Sequence, residues 1–87
     1  MSDMNKINDE SLENVVGGKL RRIYNDSASY ANIRGAAGLH SKVLFKMNNG
    51  EMVDTTGNHI NRDNIEWYEI YLDDNKYGWI AGHFIGL

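Results

Sequence analysis

Cysteine is absent from this 87-residue chain, and so is proline. The first absence excludes a disulfide framework, a thiolate zinc site and a cysteine nucleophile. The second leaves no Pro-rich linker or polyproline ligand segment. No run of about 18 apolar residues occurs, so stable membrane insertion through a helix is not expected. A net charge of −3 is too close to neutral for non-specific nucleic-acid binding, and no nucleic-acid partner is expected. Hydrophobic residues make up 41% and charged residues 24%, a balance that favours folding over disorder.

The excess acidity is confined to one end. Lys6 faces Asp3, Asp9, Glu10 and Glu13 within residues 1–18, whereas the acidic and basic side chains of residues 19–87 balance. An acidic head precedes a neutral body. The head places Met4, Ile7, Leu12, Val15 and Val16 near one face of a short helix, and Gly17-Gly18 ends that pattern. An isolated helix of this length is marginal in water, so the head is expected to be helical or disordered.

From Lys19 onward the period changes. Strands are expected at Leu20–Tyr24, Tyr30–Arg34, Lys42–Met47, Glu51–Thr55, Trp67–Leu72 and Tyr77–Ile80, with a seventh at Phe84–Leu87. Around Trp67, one parity carries Tyr68, Ile70 and Leu72, and the other carries Trp67, Glu69 and Tyr71, which gives a buried and a partly wet face. Asn48-Asn49-Gly50 reads as a tight hairpin between the third and fourth strands, and Asp73-Asp74-Asn75 as one between the fifth and sixth. Thr55–Ile65 reads as a long connection. Closely spaced turns and no helical window predict an all-β body of five to seven short strands, a small barrel.

Chemistry-bearing constellations are sparse. His40, His59 and His83 match no common metal spacing, so neither a metal nor another cofactor is expected. Ser41 beside His40, and Asp54 with His59, lack a nucleophile elbow or an oxyanion-hole signature. Asp73 and Asp74 fall in a turn, where aspartate is favoured for backbone reasons. No catalytic residue is expected. The aromatic set is richer: Tyr24, Tyr30, Trp67, Tyr68, Tyr71, Tyr77 and Trp79 are more amphipathic rings than a thin core encloses. Some are expected to line a groove.

Two resemblances arise at these residues. Ala31-Asn32-Ile33-Arg34, the loop Gly35-Ala36-Ala37-Gly38, Lys42-Val43-Leu44 and Asn49-Gly50 resemble the first signature of the bacterial SH3-like (SH3b) domain. Trp67-Tyr68-Glu69-Ile70, Gly78-Trp79-Ile80 and Phe84-Ile85 resemble its second. The resemblance spans roughly residues 20–87, without the usual proline in the first loop. It implies an SH3-like barrel that binds cell-wall peptidoglycan or another extracellular peptide or glycan. A groove of Tyr30, Asn32, Arg34, Trp67, Tyr71 and Trp79 is expected to hold that ligand.

The head resembles a double-glycine leader of the bacteriocin type. Such leaders end in Gly-Gly and place apolar residues four, seven and twelve positions before the cut; counting back from Gly18 gives Val15, Leu12 and Ile7. The resemblance implies a cytoplasmic precursor and cleavage after Gly18 by a peptidase-containing ABC transporter. Residues 19–87 would then be secreted or wall-associated. A bacteriocin-like secreted effector or signalling protein is the alternative implied by the same leader.

Overall fold

Alternation of side chains drives the fold, and Tyr30-Ala31-Asn32-Ile33-Arg34 shows it most plainly. Ala31 and Ile33 are buried while their neighbours stay half-exposed. The computed structural model describes residues 19–87, so the expected leader helix and Gly17-Gly18 lie outside the described residues. Among the described residues, six strands form one antiparallel sheet: β1 (Lys19–Arg22), β2 (Tyr30–Arg34), β3 (Val43–Asn48), β4 (Met52–Arg62), β5 (Ile65–Tyr71) and β6 (Tyr77–Ala81). Their spatial order is β1-β4-β5-β6-β2-β3. The sheet curls around Ile23, Ile33, Val53, Ile70, Ile80 and Ile85 as a small SH3-like barrel. A seam remains between β1 and β3, which no ladder joins among the described residues.

Two tight turns set the register of the middle of the sheet. Asp63 and Asn64 (φ 60° and 61°) join β4 to β5, and Asp74 and Asn75 (φ 61° and 60°) join β5 to β6. Two successive positive φ values match the right-handed twist of the flanking strands, and Asn and Asp tolerate them best. The hairpin expected at Asp73-Asp74-Asn75 is therefore present.

Three expectations are corrected. Residues 55–65 are not a loop: β4 runs on to Arg62 and pairs with β5 as a long arm. A bulge between Thr55 and His59 lets it do so. Glu69 Oε1 holds the bulge together, accepting from Thr56 Oγ1 and Asn58 Nδ2 at 2.9 Å each. Asn48-Asn49-Gly50 turns the chain but makes no hairpin, because β3 pairs with β2 whereas β4 pairs with β1 and β5. The turn is fastened elsewhere: Asn49 N–H donates to Ser29 O and Gly50 N–H to Ile23 O, both at 2.9 Å. That fastening carries the chain across the core instead of back along β3. Finally, Phe84–Leu87 is no strand. Gly82–Ile85 forms a 3-10 turn that inserts Ile85 into the core, and Gly86 (φ 79°) ends it.

Candidate functional site: a hollow beneath a pinned loop

Residues directly opposite in neighbouring strands point to the same face of a sheet. Trp79 lies opposite both Arg34 and Glu69, Trp67 opposite Ala81, and Tyr71 opposite Tyr77. With strand alternation, these registers place Tyr30, Asn32, Arg34, Trp67, Tyr71 and Trp79 on the outer face of β2, β5 and β6. Sharing a face does not make them one groove.

The loop between β2 and β3 covers part of that face. Ala37 is buried against Trp67 and Ala81 in a second, smaller apolar cluster, with Ile65, Trp79 and Phe84 packed at its margin. The loop is pinned from several sides. Arg34 Nη1 donates to Ser41 O at 2.8 Å, Ser41 Oγ to Ala37 O at 2.9 Å, and Leu39 N–H to Asp63 Oδ2 at 2.8 Å. Trp67 is only 2% exposed, and its indole Nε1–H donates to Arg62 O at 2.9 Å. The ring is thus a floor beneath the loop, with both its apolar body and its polar tip satisfied.

A hollow of about 170 Å³ opens beside this floor. Asn32, Arg34 and Trp67 line it together with Leu39, Ile65 and Phe84, and Ala81 and His83 complete its wall. Three of the six expected groove residues therefore meet here. Tyr71 lines a different hollow at the seam, and Tyr30 and Trp79 line neither. Tyr30 instead carries Lys46 over its ring, with Nζ 4.4 Å from the centroid. Leu39, Ile65, His83 and Phe84 were not among the expected groove residues, since only the folded loop and the 3-10 turn bring them to the site.

The hollow is chemically two-sided. Arg34 holds its guanidinium carbon 5.9 Å from the centre of the Trp67 ring, near the outer limit of a cation–π contact. It uses one of its five N–H groups on Ser41 O and retains donors for an anionic or carbonyl oxygen. Asn32 Oδ1 is buried with no hydrogen-bond partner within the described protein. A buried acceptor without a donor is rare and carries a desolvation cost. A donor brought within hydrogen-bond reach of it would relieve that cost. Acceptor, cation and apolar wall together fit a peptide unit. Among the described residues, no group of three or more His, Asp or Glu is arranged to hold a metal ion.

On the neighbouring arm, His59 Nδ1 lies 2.6 Å from Glu66 Oε2, and its ring stacks on Tyr68 at 5.1 Å between centroids. The hydrogen bond from His59, followed by one from Asn61 Nδ2, holds the Glu66 carboxyl below its ordinary value of 4.5. A carboxylate depressed in the folded state stabilises the fold above its unfolded pKa and loses that contribution as pH falls through the folded pKa. Acidification below about pH 4.5 is thus expected to lower the melting temperature more steeply in the wild type than in Glu66→Gln. Superimposable acid limbs in the two melting curves would remove this contribution.

The family model described as the bacterial SH3 domain matches residues 29–86, which includes β2 through the 3-10 turn and every residue of the hollow. No curated protein and no solved structure matches the chain. The match covers well over half of the 87 residues, and the chain belongs to the bacterial SH3 domain family.

Proposed function

We propose that this chain is an exported, non-catalytic module that binds cell-wall peptidoglycan, through its short peptides, or another extracellular peptide or glycan. Modules of this family are commonly cell-wall binders. The observation that carries the reading is the unpaired Asn32 Oδ1 beside Arg34 in an apolar hollow. Its volume lies below the roughly 300–1,000 Å³ of sites that engulf a small molecule, so it takes one peptide unit with a small side chain, not a whole ligand. Asn32 accepts the unit's N–H, Arg34 donates to a carbonyl or carboxylate, and Leu39, Ile65 and Phe84 cover a methyl-sized side chain. The double-glycine pattern supports export as a precursor cut after Gly18 by a peptidase-containing ABC transporter.

Co-sedimentation of the full chain with purified peptidoglycan tests this reading. Asn32→Ala removes an acceptor that has no partner among the described residues. It is expected to leave the melting temperature unchanged or slightly raised while weakening binding by about tenfold, the worth of roughly 1.4 kcal/mol. The paired signature matters, because a purely structural asparagine would lose stability and binding together. Wild-type chain that stays in the supernatant at low salt contradicts wall binding. From cells that make the protein, the wall-bound product is expected to begin at Lys19.

A further inference from the structure

The seam between β1 and β3 is the second place where the fold leaves something undone. Phe45 and Met47 lie opposite Ile33 and Ala31, both buried, so the register turns them toward the core side of the sheet. Phe45 is nonetheless 43% exposed. Among the described residues the sheet ends at β3 and no strand covers it. Across the gap stand Leu20 of β1 and Met52 of β4, both exposed, with Tyr71 at one end. Together they enclose an apolar trough of about 510 Å³, three times the volume of the hollow beside Trp67.

Two further features describe what would fill it. First, β1 and β3 are the outermost strands among the described residues, so within that part of the chain each presents backbone N–H and C=O groups without a ladder partner along the trough. An extended segment can satisfy those groups as an added strand. Second, the charged residues that line the trough are Asp54, Asp73 and Asp74 against Lys76 alone. The neighbouring arginines are turned to other work: Arg22 Nη1 donates to Gly50 O, and Arg21 lines a separate depression against Phe84 and Ile85. An occupant of positive charge is favoured.

We infer that this trough is a second binding site, distinct from the Asn32–Arg34 hollow, for an extended cationic peptide whose apolar side chains alternate with lysine or arginine. The strand adds to the free edge of β3, its apolar side chains cover Phe45 and Met47, and its cations meet Asp73 and Asp74 at the β5–β6 turn. Alternation is required because one face of an added strand meets the apolar floor while the other faces solvent and the acidic rim.

The test uses the full chain and two acetylated, amidated hexapeptides, one alternating leucine with lysine and the other leucine with glutamate, in calorimetric titrations at low salt. The lysine peptide is expected to bind at least tenfold more tightly than the glutamate peptide. Asp73→Asn combined with Asp74→Asn should reduce that preference at least threefold. Asparagine tolerates the positive φ at position 74, so the turn survives, and near-ultraviolet circular dichroism checks that it has. N-methylation of alternate amides on the lysine peptide should abolish binding, which separates an added strand from charge attraction alone. Asn32→Ala should leave this titration unchanged, which separates failure here from failure of the hollow. Equal affinity for the two peptides, or full binding by the N-methylated one, overturns the inference. So does a concentration-dependent dimer that buries Phe45, because the occupant would then be a second copy of this chain.

Discussion

Trp67→Ala is expected to lower the melting temperature by roughly 20 °C, because removing a buried tryptophan costs about 3–5 kcal/mol and small domains lose roughly 4–8 °C per kcal/mol. Three losses coincide. The indole fills the space beneath Ala37 and against Ala81, its Nε1–H satisfies Arg62 O, and its face lies under Arg34. A body this small has a total stability of only a few kcal/mol, so partial unfolding at ambient temperature is the expected outcome. Trp67→Phe keeps most of the apolar volume and abandons the hydrogen bond, and should cost about 1–3 kcal/mol through the orphaned carbonyl. Thermal melts followed by circular dichroism separate the cases. A Trp67→Ala protein with near wild-type stability would show that the ring is a dispensable surface contact, as a groove-lining role alone requires.

The second large effect comes from a glycine whose φ is unremarkable. A Cβ built on Gly78 would stand 2.8 Å from Ile33 Cγ2 and 3.2 Å from Leu72 Cδ1. Ile33 is fully buried, so it has no free space into which to retreat. Gly78→Ala is expected to cost about 2 kcal/mol, or roughly 10 °C, through overpacking where β6 crosses β2. Gly35→Ala is the matched control. Its nearest neighbour would be Leu44 Cδ2 at 3.6 Å, an ordinary contact, and its melting temperature should stay within a few degrees of wild type. If both variants melt alike, the close packing at Gly78 is not what limits the core.

These two residues also mark how far the sequence can be read. The all-β body, the strand Tyr30–Arg34 and the Asp73-Asp74-Asn75 hairpin were legible because alternation and turn chemistry are local properties. Pairing is not local. Asn48-Asn49-Gly50 has the chemistry of a hairpin turn, but its hydrogen bonds to Ser29 and Ile23 decide that β4 pairs with β1 and β5. Residues 55–65 read as a loop because Gly57, Asn58, Asn61, Asp63 and Asn64 are poor strand formers. They become strand and turn through the ladder to β5 and the grip of Glu69 on the bulge, neither of which a local pattern encodes.

The candidate site was half legible for the same reason. Strand parity located the outer face, and the motif around Asn32 and Arg34 located its centre. Parity does not say which part of a face a loop will cover. That depends on Arg34, Ser41 and Asp63 tying Gly35–Ser41 down over Trp67 through bonds whose partners are up to 24 residues apart. It turns one expected groove into a small hollow, an isolated Tyr30–Lys46 pair and a separate trough at the seam.

Nitrogen-15 chemical-shift mapping of the full chain during titration with soluble peptidoglycan stem peptides tests the binding reading most directly. The largest shifts are expected at the Asn32 side-chain amide, the Arg34 guanidinium N–H and the Leu39 backbone amide, with Asn32→Ala moving the Arg34 and Leu39 titrations to about tenfold higher peptide concentration while the spectrum keeps its dispersion. Absence of shifts at millimolar peptide, or shifts confined to residues remote from Asn32 and Arg34, would contradict it.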